Sequence, residues 1–200
     1  MDWGFLAAEE ELVIEAKQPD GDEVFYELER VDCEPLGPSL EPPNVRRCAN
    51  RCEFCFIEGL PPGLRKNLYI RDDDYRLSFA YGNFTTLTRF NEADLERVVT
   101  EGLSPLNVSI HTTDPWLRAQ MLRNQRGATS LRWLRVLLDH GIAVHGQVVV
   151  CPGVNDGDQL DLTLATVLNE YSELATMCVV PLGVSDFNAE SRMRPHTRAE

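Results

Sequence analysis

The sequence predicts an α/β fold: an open, partial (β/α) barrel preceded by a short β-hairpin. From residue 44 onwards, strand-like apolar runs alternate with helical patterns, which is typical of a parallel sheet with right-handed crossovers. We count only four or five such strands, fewer than the eight of a closed (β/α) barrel. Apolar residues make up 43% of the 200 residues, which is enough to bury a core.

The first two strands form the predicted hairpin. Residues 12–16 (LVIEA) and 24–28 (VFYEL) have the composition of short strands, and the turn-forming residues 19–22 (PDGD) separate them. Two strands alone bury too little surface to be stable, so we expect them to complete another sheet. Residues 35–43 (PLGPSLEPP) carry four prolines and predict a stiff linker.

After the linker, each element has its own signal. Asn91 is the expected N-cap of a helix, with Asp94 three residues on, and Gly141 is the expected end of the next helix. Residues 184–200 are polar and contain no helix that returns from the last strand, so we expect the chain to be a fragment, cut at both ends. The predicted strands cover residues 76–81, 106–111, 142–151 and 177–181, and the predicted helices cover residues 91–101, 130–140 and 159–171.

The charge is unevenly distributed. The chain has a formal net charge of −13, but residues 1–43 hold 13 acidic and 2 basic side chains, and the rest holds 19 and 17. The acidity argues against a protein whose whole surface binds nucleic acid or anionic lipid. No stretch approaches the ~20 apolar residues of a membrane helix, and no targeting signal is present, so we expect a cytoplasmic location.

Three of the six cysteines lie within eight positions, in the sequence CANRCEFC. Cys48, Cys52 and Cys55 have the spacing CxxxCxxC, which lets one compact loop bind a soft metal centre. A structural zinc ion needs four ligands, whereas an iron–sulfur cube held by three cysteines keeps one iron open. A zinc site completed from elsewhere and a coincidental grouping are the alternatives. Arg46, Arg47 and Arg51 suit an anionic cluster or lower the thiol pKa values.

The segment CANRCEFC resembles the signature of the radical S-adenosylmethionine (radical SAM) superfamily. Together with YIRDDDYRLSFAYGNFTTLT, SIHTTDPWLRAQML and QVVVCPGVNDG, it resembles a bacterial, cyanobacterial-type family of iron–sulfur oxidoreductases. Those proteins have an N-terminal PDZ-like domain and a C-terminal domain of unknown function. The resemblance implies that residues 1–34 are the tail of the PDZ-like domain, 35–43 a linker and 44–200 a truncated radical SAM core.

The resemblance also implies cofactors and partners. Cys48, Cys52 and Cys55 are the expected ligands of a [4Fe–4S] cluster, and the backbone of Phe54 is expected near the adenine of SAM. Reductive cleavage of SAM then yields a 5′-deoxyadenosyl radical that acts on an unknown substrate. The expected partners are a reductant such as ferredoxin or flavodoxin, and a peptide or protein bound by the PDZ-like part. An electron-transfer or redox-sensing iron–sulfur protein and a zinc-binding interaction module are the alternatives.

The expected SAM contacts follow the strands. Tyr81, Gly82 and Asn83 occupy the position of a Gly-Gly-Glu-like motif at the end of a predicted strand, although no acid follows Gly82 and an ordinary turn is the alternative. Ser109 and His111 lie on one side of their strand, near its active-site end. His111 is alternatively a structural histidine.

The remaining candidates are single residues. Arg118 is a possible partner of the SAM carboxylate or a solvated arginine, and Val154 is the expected apolar contact of the adenine. Cys151 is a substrate-side thiol, a metal ligand or a small buried residue. Cys178 is expected in the core, Cys33 has no assigned role, and Asn155 and Asp156 are expected to cap the next helix. Three consecutive acids, Asp72, Asp73 and Asp74, predict a solvated turn rather than a magnesium site. No basic, aromatic-rich motif indicates nucleic-acid binding.

Overall fold

The computed structural model describes residues 11–18, 20–29 and 44–198. The chain divides into two compact units, Met1–Asn44 and Val45–Glu200. The predicted linker and Cys33 lie outside the described residues. No helix in the described part of the chain combines the length and apolar character that crossing a membrane requires.

The first unit contains the predicted hairpin. Strands β1 (Glu11–Lys17) and β2 (Glu23–Glu29) pair antiparallel, with Glu11 opposite Glu29 and Lys17 opposite Glu23. Val13 and Phe25 are more than half exposed on this hairpin. That exposure agrees with the expectation that two strands alone bury little surface. The assignment of the hairpin to a PDZ-like domain stays a prediction.

The second unit is built on a four-stranded parallel sheet, which confirms the α/β class. The strand order is β3–β4–β5–β6, so each strand lies beside its neighbour in the chain. The strands are β3 (Phe84–Thr85), β4 (Leu106–Ser109), β5 (Val144–Val150) and β6 (Thr176–Pro181). The partial barrel stays a prediction.

The described residues also contain five α-helices and two 3₁₀ turns; the first helix and the first turn precede β3, and the others connect the strands. Asn91 and Asp94 form a reciprocal capping box at the start of α2, with both hydrogen bonds at 3.1 Å, as the sequence predicts. Gly141, with φ of 76°, follows the end of α4 as expected. The helices are α1 (Tyr75–Tyr81), α2 (Glu92–Thr100), α3 (Pro115–Leu122), α4 (Leu131–Asp139) and α5 (Asp158–Glu170), and the 3₁₀ turns are Lys66–Tyr69 and Gln125–Ala128.

The predicted strand at residues 76–81 is wrong, because this segment is helix α1. The Asp74 side chain caps its first turn by accepting from the Arg76 backbone N–H. Gly82 ends the helix in the left-handed conformation, with φ of 75°. The alternation of apolar side chains in RLSFAY has the period of a strand, but the two caps fix a helix. The strand itself is the two-residue β3, too short to have a sequence signal.

The core lies between the sheet and its helices. Val108, Val144 and Val148 of the sheet are fully buried, and so are Leu134 and Leu137 of α4. Edge-to-face contacts join Tyr75, Phe90 and Trp133 at centroid distances of 5.6 and 5.5 Å. A second, smaller apolar cluster contains the buried residues Met121, Cys151, Leu182 and Met193, with Phe54, Leu117, Val149 and Val154 packed against it.

Candidate functional site: a cavity beneath the cysteine loop

A cavity of about 560 Å³ opens at the carboxyl edge of the parallel sheet. Residues at or just after the end of every strand line it, which is where parallel α/β folds hold their ligands. These are Phe84 and Thr86 at β3, Ser109 and His111 at β4, Gln147 and Val149 on β5, and Pro181, Leu182 and Gly183 at β6. The other lining residues are Cys48, Asn50, Cys52, Phe54, Cys55, Phe56, Ile57, Arg71, Asp72, Gly82 and Asn83.

The cysteine loop, which we define as residues 48–55, forms one wall of this cavity. Cys48, Cys52 and Cys55 are free thiols, and all three line the cavity. The loop is anchored by backbone hydrogen bonds from Cys48 N to Arg71 O at 2.9 Å and from Arg51 N to Leu122 O at 3.0 Å. The last residue of helix α3, Leu122, therefore holds the loop through this hydrogen bond.

The three thiols are soft ligands of the kind that an iron–sulfur cluster takes. Among the described residues, no three His, Cys, Asp or Glu side chains are grouped so that they could hold one metal ion. A zinc ion needs its ligands to converge at about 2.3 Å from one centre. In an iron–sulfur cube each thiolate binds a different iron, so the sulfurs need to face one space without converging on one point. The donor set and the shared cavity fit that requirement.

Of the two roles expected for the nearby arginines, a lowered thiol pKa does not apply to Cys48 and Cys52, and the support of an anionic cluster stays a prediction. Burial raises the pKa of Cys48 to about 11 and raises the pKa of Cys52 further. The Arg46 guanidinium is engaged elsewhere, in a bidentate pair with Asp94 at 2.6 and 2.8 Å. Binding of a metal centre by these thiols therefore has to release protons.

Phe54 and His111 both line the cavity and contact each other. Their rings are in edge contact, with centroids 4.6 Å apart. His111 is 4% exposed, and burial lowers its pKa to about 3, so it is neutral at physiological pH. Its Nδ1 accepts from the Val149 N–H at 3.3 Å. A neutral imidazole that accepts at Nδ1 carries its proton at Nε2, which gives the cavity wall a hydrogen-bond donor.

Gly82 and Asn83 line the cavity, but they follow a helix instead of a strand. The Asn83 side chain donates to the Asp72 carboxylate at 3.2 Å, and Asp72 also lines the cavity. Burial raises the pKa of Asp72. Tyr81, the first residue of the predicted motif, is 71% exposed and is not part of the lining.

The three consecutive acids do not form a solvated turn. Asp73 and Asp74 are 3% and 1% exposed, and each has its own set of partners. Asp74 caps helix α1 and pairs with Arg76, which holds the pKa of that carboxyl below its usual value. Asp73 accepts hydrogen bonds from threonines at β3. The three carboxylates point to different partners, as expected from consecutive residues, but long-range contacts bury two of them.

Arg118 is neither solvated nor part of the cavity lining. It is completely buried, and its guanidinium donates to the backbone oxygens of Ile110, Gly127, Thr86 and Ser109 at 2.9–3.0 Å, and to the Ser130 hydroxyl. All of its donors are used in this way. The predicted pairing with a SAM carboxylate is therefore not the role that this geometry gives Arg118. It ties the ends of β3 and β4 to helix α4.

Val154 and Cys151 lie in the second apolar cluster and are not among the lining residues. Cys151 is completely buried, and burial raises the pKa of its thiol to about 12, which agrees with the alternative of a small buried residue. Cys178 is exposed, contrary to its expected core position. The α5 N-cap is Gly157, and no side chain caps this helix, so the expected capping by Asn155 and Asp156 is wrong. The Asn155 side chain donates to the backbone oxygens of His111 and Val149 at 2.8 and 2.9 Å.

The sequence reasoning missed several lining residues: Asn50, Arg71, Asp72, Thr86 and Gln147. Asn50 carried the clearest signal, because it lies inside the cysteine loop. Gln147 is a polar residue in an otherwise apolar strand, VHGQVVV, which is a second usable signal. Arg71 is paired with Glu58 at the cavity rim.

A family model described as a radical SAM-like domain matches residues 31–177. The chain belongs to the radical SAM-like family. The matched range contains the three cysteines and all the predicted SAM-contacting residues. The comparison with curated proteins gives no match. In a radical SAM-like domain, a cysteine loop over a cavity at the carboxyl edge of the sheet is a candidate site for an iron–sulfur cluster and SAM.

Proposed function

We propose that this protein is a radical SAM enzyme that uses a [4Fe–4S] cluster to cleave SAM reductively. The observation that carries the proposal is the cysteine loop, whose three free thiols line one cavity of a radical SAM-like domain. Three ligands keep one iron of the cube open for a further ligand. A closed structural metal site has no such open position.

Cys48, Cys52 and Cys55 hold the cluster in this proposal. When bound, the cluster supplies the electron that cleaves SAM into methionine and a 5′-deoxyadenosyl radical, which abstracts hydrogen from the substrate. The protein contributes binding, orientation and exclusion of water. The half-buried cysteine side chains and the apolar residues Phe54, Val149 and Leu182 serve that exclusion.

The cavity provides groups that match the parts of SAM. Its volume of about 560 Å³ is within the usual range for a small-molecule site. Asp72, beside Asn83, offers a carboxylate for the amino group. Ser109 and the Nε2–H of His111 offer hydrogen bonds to the ribose or the carboxylate. Phe54 offers an apolar edge and backbone groups for the adenine.

The proposal predicts SAM cleavage that depends on the cysteine loop. The protein is reconstituted anaerobically with iron and sulfide, reduced with dithionite and incubated with SAM, and 5′-deoxyadenosine is measured. Cys52→Ala is expected to abolish the product, because the cluster loses one of three ligands. Cys178→Ala, which removes an exposed cysteine outside the loop, is the matched control and is expected to keep wild-type cleavage.

Other outcomes of the same experiment support other functions. A stable cluster without nucleoside product supports an electron-transfer or redox-sensing protein. One zinc and no iron per chain after anaerobic purification supports a zinc-binding module and contradicts both cluster proposals.

The proposed partners and location follow from the same chemistry. A low-potential electron carrier such as ferredoxin or flavodoxin supplies the electron, in the reducing cytoplasm. Phe56, directly after Cys55, is 78% exposed and provides an apolar contact for such a carrier. The proposed scaffold is a partial radical SAM barrel, with the hairpin as the tail of a PDZ-like domain that binds a peptide or protein. The substrate of the radical stays unassigned.

A further inference from the structure

A buried network of hydrogen bonds links Asp73 to the threonines around β3. One carboxylate oxygen of Asp73 accepts from the Thr85 hydroxyl at 2.7 Å and from the Thr86 N–H at 2.6 Å. The other oxygen accepts from the hydroxyls of Thr86 and Thr88 at 2.8 and 2.9 Å. A carboxylate has two acceptor oxygens, and here each of them accepts two of the four hydrogen bonds.

The same threonines contact Asn50 in the cysteine loop. The Thr86 hydroxyl accepts from Asn50 Nδ2 at 2.8 Å, and the Thr88 hydroxyl lies 3.1 Å from Asn50 Oδ1. Asn50 is 2% exposed, and its Oδ1 also accepts from Asn124 at 2.7 Å. The Thr86 hydroxyl thus bridges Asp73 and Asn50 by donating to the carboxylate and accepting from the amide nitrogen. The Thr88 hydroxyl lies between two acceptors, Asp73 Oδ2 and Asn50 Oδ1, and shares its single proton between them. Thr85 contacts the same carboxylate but does not take part in this bridge.

Asn50 in turn contacts a cluster ligand. Its backbone N–H donates to the Cys48 sulfur at 3.4 Å. Hydrogen bonds to ligand sulfurs influence the reduction potential of iron–sulfur clusters, and groups behind the direct ligands fix their orientation. The orientation of this N–H depends on the position of Asn50, which the network holds.

We propose that Asp73 is a positioning residue of the cluster site: through Thr86, Thr88 and Asn50 it fixes the cysteine loop and keeps the Asn50 N–H on the Cys48 sulfur. The cluster part of this inference rests on the proposed function. The positioning of the loop is a property of the protein alone and is testable without iron.

Thr88→Val tests the bridge, and Thr85→Val is its matched control. Both threonines are buried, at 3% and 2% exposure, and both hydroxyls bond to Asp73. Both substitutions remove one hydroxyl and keep the side-chain shape, but only Thr88 also contacts Asn50. The measurements are amide hydrogen exchange of residues 48–52 in the metal-free protein, the rate of iron loss to a chelator, and the EPR spectrum of the reduced cluster.

Thr88→Val is expected to speed exchange at the Asn50 amide, to raise the rate of iron loss about 10–100-fold and to change the EPR spectrum. Thr85→Val is expected to keep all three within twofold of wild type. Thr88→Ser, which retains the hydroxyl, is expected to restore wild-type values. If Thr88→Val does not fold, Asn50→Ala removes the same bridge from the loop side and is expected to give the same changes.

Equal effects of Thr85→Val and Thr88→Val, or no effect of either, would overturn the inference, because a general loss of stability affects both alike. Faster loop exchange in Thr88→Val together with a wild-type protein that binds no iron would support the loop positioning. That result would contradict the cluster, and the proposed function with it.

Discussion

His111 and Arg118 are both buried, but His111 lines the cavity and Arg118 does not. Arg118 has its donors occupied by backbone oxygens and a hydroxyl, so it stabilises the loops that carry the site. His111 is neutral, and it has a left-handed backbone with φ of 65°. The Asn155 side chain, which donates to the His111 oxygen at 2.8 Å, holds that turn. These contacts make His111 part of both the wall and its support.

The buried neutral state of His111 makes stability depend on pH. Its pKa is about 3 in the folded protein and about 6.5 in an unfolded chain. Between these values the unfolded state binds a proton that the folded state does not, so stability is lost as the pH falls below about 6.5. We expect the free energy of unfolding of metal-free protein to fall by about 1–2 kcal/mol between pH 7 and pH 5 from this residue. Urea denaturation of wild type and His111→Gln at both pH values measures the effect.

The control in that experiment is the variant itself, because Gln does not titrate in this range. His111→Gln is expected to lose less stability than the wild type between the two pH values. Equal losses in the two proteins would show that other groups carry the pH dependence.

At the scale of single elements, the sequence predicts features that depend on neighbouring residues but not features that depend on long-range contacts. The Asn91–Asp94 capping box and the buried stripe of α4 depend on residues within a few positions of each other, and the sequence predicts both. The sequence wrongly predicts a solvated turn at residues 72–74, because the threonines that bond Asp73 lie 12–15 positions away and no local pattern marks them. The buried state of Arg118 depends on backbone oxygens from three separate segments, at residues 86, 109–110 and 127, which no local pattern indicates.

The cysteine loop was the most predictable part of the site, because its spacing is itself local. The wall opposite it was predictable only in outline. The period of β4 predicts Ser109, and His111 lies two residues beyond the end of this strand. Val154 and Tyr81 are not among the lining residues, and their contacts with SAM stay predictions. Whether these two residues reach the cavity depends on how the loop after β5 and helix α1 pack. The spacing of residues along the sequence does not describe this packing.

Helix α1 ends at Gly82 because this residue has a left-handed backbone conformation, so substitutions at Gly82 are expected to change the stability of the protein. Gly82 has φ of 75°, and a Cβ there would have Asn107 Nδ2 at 3.9 Å as its nearest neighbour, so space is available. Gly82→Ala is therefore expected to cost about 1 kcal/mol from backbone strain alone. Gly82→Asn is expected to cost less, because Asn tolerates the left-handed region. Thermal or urea unfolding measures both, and a stabilised Ala variant would contradict the cap.

At the scale of the whole molecule, the charge and the site belong to different units. Residues 1–43 account for 13 of the 32 acidic side chains and only 2 of the 19 basic ones, which leaves 19 acidic and 17 basic residues in the rest of the chain. Every residue that lines the cavity lies in the second unit. The net charge of −13 therefore describes the chain but not the surroundings of the site.

Removing residues 1–43 tests that division. The shortened protein is expected to bind the same amount of iron after reconstitution as the full chain and to give the same EPR spectrum, because it keeps the cysteine loop and the whole cavity wall. Iron analysis and EPR of the two proteins side by side provide the measurement. A loss of more than half the iron in a folded, shortened protein would mean that the first unit contributes to the site.

The central claim is that three cysteines hold a cluster whose open iron binds SAM. EPR spectroscopy of the reduced, reconstituted protein with and without SAM tests it most directly. We predict a signal from one [4Fe–4S] cluster per chain that changes when SAM is added and is absent in Cys52→Ala. A cluster signal that SAM leaves unchanged, or a reconstituted wild-type protein without iron, would contradict the claim.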